Sequence, residues 1–226
     1  DVFGQYNDWV ELYNAGSSSV ALTGYTMSDD PGNIGKWVFP SGNIAAGGFL
    51  KVVCSGNNTV SAGEYHTSFK LTQCKPEMII LGNPSGTIVD SLTMRRNQEE
   101  HSWGRTTDGA STWSVFLTPT YGTSNGTATA YQPYATTPVF SLAAGYYSGT
   151  QSLTITTPDP NITIRYTTNG NDPTSSSTAY SGPISISTTQ VIRARCFSST
   201  ANIPVSFCET NSYFINRSEE HTSELQ

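Results

Sequence analysis

Residues 78–92 read MIILGNPSGTIVDSL. Two apolar runs, Met78 to Leu81 and Thr87 to Leu92, flank Gly82-Asn83-Pro84-Ser85-Gly86. Short apolar runs around a Gly, Pro and Asn cluster read as a β-hairpin. The same texture extends outward from it. Trp9 to Tyr13 alternates, with Val10 and Leu12 on one face and Trp9, Glu11 and Tyr13 on the other, as a half-buried strand does. Phe49 to Cys54 is entered through Ala46-Gly47-Gly48, and Trp113 to Leu117 stops at Thr118-Pro119. No stretch of a dozen residues holds an apolar face at helical spacing.

The stretch SNGTATAYQPYATTP (124–138) is small, polar and Pro-bearing, and reads as a linker, placed at 126–137. Strands resume beyond it. Ile162, Ile164 and Tyr166 alternate ahead of the turn Asn169-Gly170-Asn171-Asp172-Pro173, and Ile192, Ala194 and Cys196 share one face of VIRARCF (191–197). Short strands at regular spacing, with turns between, predict an all-β chain of two consecutive β-sandwiches, residues 1–125 and 138–216.

Composition narrows the class. Charged residues are 12% of the 226, against about 25% in an average soluble domain. That excludes a charge-dense disordered tail, and the 11% of aromatics argues the same way. A coiled coil lacks its heptads. A membrane span would need about 20 consecutive apolar residues, and there is none. Net charge is −6, and the densest basic spot, Arg95-Arg96, is followed by Glu99-Glu100. A nucleic-acid partner is therefore not expected. A charge-poor chain rich in hydroxyls and amides is common among secreted β-proteins.

Residues 217–226, RSEEHTSELQ, break this composition and resemble the in-frame translation of a sequencing adapter. They are expected to be foreign to the fold.

The segments DWVELYN (8–14), LTGYTMSDDPGN (22–33), KWVFP (36–40), IAAGGFLKVV (44–53), HTSFKL (66–71), NPSGTIVDSL (83–92) and WSVFLTPTYGTSN (113–125) resemble, in order and spacing, the lamin tail domain. That resemblance implies an immunoglobulin-like sandwich. The family has a strand ahead of DWVELYN, so it also implies a truncated first strand and an unpaired sheet edge. PVFSLAAGYYSG (138–149), ITIRYTTNGNDPT (162–174), YSGPISIS (180–187) and VIRARCF (191–197) resemble the fibronectin-III-like C-terminal domain of chitobiase and β-hexosaminidase. The family's Asp and Ser are Asn169 and Asn171 here. The pair in this order resembles the front of large bacterial surface proteins, some of which continue into a spore-coat-kinase-like domain. ETNSYFIN (209–216) is similar to the joint entering it.

Candidate chemistry is sparse. His66 and His101 come with no catalytic frame and read as structural or exposed. Asp29, Asp30 and Asn33, and Asn171 with Asp172, are oxygen-rich turns. They could hold a weak calcium ion, but side chains bonding their own backbone are the commoner use. No catalytic residue, metal or cofactor is expected. Cys196 and Cys208 are a candidate disulfide on adjacent strands, and Cys54 with Cys74 a weaker one; the alternative is that all four are buried thiols. Tyr121, Tyr131, Tyr134, Tyr146 and Tyr147 are candidate binding aromatics for sugar rings or a partner surface, or else pack the joint between the domains.

The expected function is a non-catalytic structural, adhesion or domain-positioning segment of a larger exported bacterial surface protein. Its partners would be neighbouring domains of the parent, glycans or surface proteins. Two alternatives stand beside it: the accessory part of a surface enzyme, kinase-like or hydrolytic, whose catalytic domain lies elsewhere, and a carbohydrate-binding module.

Overall fold

The computed structural model describes residues 1–72 and 77–217. Cys74 and all but the first residue of the RSEEHTSELQ tail fall outside the described residues. The chain forms two compact units, Asp1–Ala130 and Tyr131–Gln226, and is all-β, with a single short turn of 3₁₀ helix among the described residues, at Asn125–Thr127. Among the described residues no helix is long and apolar enough to cross a membrane.

In the first unit one sheet runs, edge to edge, Trp9–Tyr13, Phe49–Val53, Glu64–His66, Thr59–Ser61. The other runs Ile88–Thr93, Met78–Gly82, Thr26–Ser28, Trp37–Val38. Val52 from the first sheet, and Met27, Trp37 and Ile79 from the second, meet in one buried cluster with Leu22, Phe39, Ile44, Cys54 and Phe69. The alternation read in Trp9–Tyr13 is realised: Val10 and Leu12 pack on this core, whereas the Tyr13 ring lies over Phe49 on the other face. The hairpin forms with Ile88–Thr93 against Met78–Gly82, and a bulge between Ile88 and Asp90 shifts the register.

Two loops of this unit, around Ser18 and Ala45, are tied together by one buried side chain, Asn14. Its Nδ2 donates to the carbonyls of Ser18 (2.9 Å), Ile44 (3.0 Å) and Ala45 (3.0 Å). Its Oδ1 accepts from the Gly16 N–H at 2.9 Å. An amide has both donors and an acceptor, so one residue satisfies backbone groups that sheet pairing leaves over.

The second unit is built on a five-stranded sheet, in order Gly145–Tyr147, Glu209–Ile215, Gln190–Ser198, Ile162–Thr167, Thr178–Ala179. Its inner face supplies Ile192, Ala194, Tyr213 and Ile215 to a core shared with Leu153, Ile155 and Ile186. Tyr213 is fully buried, and its hydroxyl donates to the Leu142 carbonyl at 2.9 Å.

The described cysteines are free thiols, Cys196 and Cys208 among them. Register explains why the expected pair does not bridge. The paired ladder ends at Ala194 opposite Glu209, and beyond it Cys196 meets Ser206, whose N–H donates to the Cys196 carbonyl at 3.1 Å, not Cys208. Successive residues of a strand face opposite sides. Cys196 is buried in the unit, while Cys208 Sγ lies 3.8 Å from Thr210 Oγ1 on the outer side. Burial pushes the Cys54 thiol up to about 12 and raises that of Cys196. Alkylation of the native chain should therefore label Cys208 well before Cys54 and Cys196, as peptide mapping would show. Equal labelling of the three would contradict this packing.

Candidate functional site

Between the two sheets of the first unit lies a cleft of about 960 Å³. Its walls are the two end strands, Trp9–Tyr13 and Ile88–Thr93, each paired on one side only among the described residues. Its floor includes Leu12, Ile79, Leu81 and Leu92. Ile88 and Val89 stand half exposed beside the bulge.

The hairpin Ser102–Arg105 and Trp113–Phe116 closes one end. Register places Arg105 across from Trp113 and Trp103 across from Val115, so Trp103, Arg105 and Trp113 share a face. The two indoles lie nearly parallel with centroids 6.5 Å apart. Arg95 lies over Trp103 at 5.2 Å and Arg105 over Trp113 at 4.8 Å. Arg105 also bridges to Asp90 at 2.6 Å, tying the hairpin to the end strand. Guanidinium on indole and guanidinium on carboxylate together fix the rim of the cleft.

Glu11 points to the other side of its strand and accepts the Gly122 N–H at 2.8 Å. Burial raises its carboxyl above the ordinary value of 4.5; the Gly122 bond opposes this and the nearby Asp108 adds to it. A raised carboxyl means that the ionised form costs the folded state stability at neutral pH. Glu11→Gln keeps the acceptor and removes the charge. It should stabilise this unit at pH 7 by less than about 1 kcal/mol in a partly exposed site, read as a higher thermal midpoint. The gain should vanish below about pH 4.5, where Glu11 is protonated folded and unfolded alike. A loss at pH 7 would show that the charge itself is needed.

Histidine readings are refined by the structure. His101 lines the cleft, where burial lowers its pKa and Glu100 opposes the shift. His66 is wholly buried, with Nδ1 3.0 Å from Ser55 Oγ and Nε2 3.3 Å from Glu64 Oε2. Burial would raise Glu64, but the bond and charge of Lys51, the Val2 N–H and His66 outweigh it and hold the carboxyl below its ordinary value. Serine, histidine and acid in a row invite comparison with a hydrolytic triad. A nucleophile must be reachable, yet Ser55 is 1% exposed and its Oγ accepts the Asn57 N–H. This set ties the Ser55 turn to the Glu64–His66 strand.

The oxygen-rich turns bond internally. Asp30 Oδ1 accepts the Gly32 N–H at 2.8 Å, Asp29 pairs with Lys36 at 2.7 Å, and Asp172 pairs with Arg193. Asn33 closes its turn through an N–H to the Asp30 carbonyl, and Asn171 through an N–H to Asn169 Oδ1.

The structure separates the candidate tyrosines. Tyr121 belongs to the first unit, against Trp9 and Lys51. In the second, Tyr131 is half-buried and Tyr134 meets Phe207 edge-on at 5.0 Å. Tyr147 turns inward, packs on the core and donates to the Ala143 carbonyl. Tyr146 turns outward, 43% exposed, and stacks on Phe214 at 4.8 Å. The cleft residues Trp103, Trp113 and Arg105 were not singled out by the sequence reading, which saw Arg95 only as part of a basic turn. Their only signal was aromatic and arginine residues at matching positions of a short second hairpin.

Comparison with family models matches residues 2–96 to the Lamin Tail Domain and residues 142–205 to the Chitobiase/beta-hexosaminidase C-terminal domain. No curated protein and no solved structure gives a match. The two matches bear out the resemblances and their order, and both modules are non-catalytic sandwich domains. The chain is thus similar, in this order, to a lamin tail domain over residues 2–96 and to a chitobiase/β-hexosaminidase C-terminal domain over residues 142–205.

Proposed function

We propose that this chain is a non-catalytic positioning segment of a larger, exported bacterial surface protein, and that the first unit holds a neighbouring part of that protein through its cleft. The observation that carries this reading is the pair of end strands flanking an apolar floor. An end strand offers a row of unpaired N–H and C=O groups, a template for an added strand. Apolar side chains at alternate positions of such a strand would fill the floor between Leu12 and Leu92. The low charge content and the chitobiase-type module support the exported, bacterial setting.

A photo-crosslinking amino acid in place of Val89, in the full-length parent, tests this. Val89 is 53% exposed and borders the cleft. The expected product is an internal crosslink to a segment outside residues 1–226, located by mass spectrometry. Capture within residues 1–226 alone, or no crosslink, would overturn the reading.

A further inference from the structure

The outer face of the second unit's five-stranded sheet concentrates positive charge in a chain whose net charge is −6. Register places Arg165 directly across from Arg195 and Thr167 across from Arg193. Like charges opposite one another on a sheet destabilise it. Arg193 is neutralised by Asp172, and also bonds Thr210 Oγ1 and the Gly170 carbonyl. Arg165 reaches the Ser177 carbonyl at 2.6 Å, an acceptor without formal charge. Arg195 has its Nε shielded from water and without a hydrogen-bond partner among the described residues. Neither Arg165 nor Arg195 forms an ion pair within the described residues. Two neighbouring guanidiniums without a carboxylate partner among the described residues have the charge and the donors that suit an anion.

The same face carries a second feature. Tyr146 pairs with Phe214 in register and stacks on it, and at 43% exposure its ring remains open to solvent on the end strand Gly145–Tyr147. Phe214 lies four residues along its strand from Thr210, the residue opposite Arg193, and the Arg165–Arg195 pair lies two positions further. At about 3.3 Å per residue the aromatic platform and the unpaired arginines are therefore roughly 20 Å apart. A single small anion cannot touch both; a polymer can.

We propose that this face binds a polyanionic glycan, a chain of sugar rings bearing carboxylates, with Arg165 and Arg195 holding one carboxylate and Tyr146 stacking on a ring several units along. Spacing favours a glycan over nucleic acid. A duplex carries one charge per about 1.7 Å and is held by many cations, whereas this face offers two without a carboxylate partner among the described residues. One charge per sugar matches two guanidiniums set apart from an apolar platform.

The test uses the whole chain and polygalacturonate as probe, with neutral dextran and a DNA duplex of similar length alongside. Polygalacturonate should bind at low salt and weaken roughly 10- to 30-fold on a tenfold rise in salt, as about two neutralised charges dictate. Galacturonate fragments too short to span the face should bind at least about tenfold more weakly. The double variant Arg165→Gln and Arg195→Gln should lose binding at least about tenfold while unfolding at the same temperature or higher, because it relieves a like-charge pair. Tyr146→Ala should weaken the long chain and leave the fragments unaffected. Absence of binding, equal binding of dextran, tighter binding of DNA, or full affinity in the arginine variant would each overturn the proposal. None of these outcomes bears on the cleft of the first unit.

Discussion

Asn14→Ala should destabilise the first unit by about 2–4 kcal/mol. Four hydrogen bonds disappear at once, and each is worth roughly 1 kcal/mol net, with a further cost wherever a buried carbonyl is stranded. Some relief is built in. The Ala45 carbonyl also accepts the Gly48 N–H, and the Ile44 carbonyl a weaker Ser19 hydroxyl. Asn14→Asp should be worse than Ala despite its matching shape. It sets a carboxylate against the three carbonyls that Nδ2 now serves. The readout is selective, because Trp9, Trp37, Trp103 and Trp113 all lie in this unit and the second has no tryptophan. Indole fluorescence during urea unfolding therefore follows the first unit alone. If Asp is tolerated as well as Asn, the amide is not serving those carbonyls.

Tyr213→Ala should cost the second unit about 3–5 kcal/mol, as removal of a large, fully buried ring does. Tyr213→Phe isolates the hydroxyl. It should cost only about 1 kcal/mol, because the Leu142 carbonyl keeps the Asn211 amide as a donor at 3.2 Å. Tyrosine circular dichroism in the near ultraviolet reads this loss, while the indole signal stays in place. A parallel loss of the indole signal would mean that the two units do not hold separate cores.

Local pattern made the strands readable. Val10 and Leu12 had to share a face, and Asn83 to Gly86 had to turn, because neither depends on distant residues. Long-range pairing was another matter. Ser55, Glu64 and His66 come together because Glu64–His66 runs parallel to Phe49–Val53, setting His66 beside Val53. No local pattern announces a parallel neighbour. The arginine and tryptophan rim depends on the register of the second hairpin, which sets Arg105 across from Trp113. A one-residue slip would turn those side chains to the opposite face. The same sensitivity parts Tyr146 from Tyr147, neighbours in sequence that face solvent and core. The end of the ladder at Ala194–Glu209 likewise leaves Cys196 bonded to Ser206 and Cys208 a free thiol.

Amide hydrogen exchange, measured on this chain alone and on the full-length parent, tests the cleft most directly. In the isolated chain the outward amides of Trp9–Tyr13 and Ile88–Thr93 should exchange rapidly, since each strand ends its sheet. In the parent, amides along the occupied edge should slow by at least about a hundredfold, as an added strand pairs with them. Identical, rapid exchange in both proteins would contradict the account, because the edges would then be free of any neighbour.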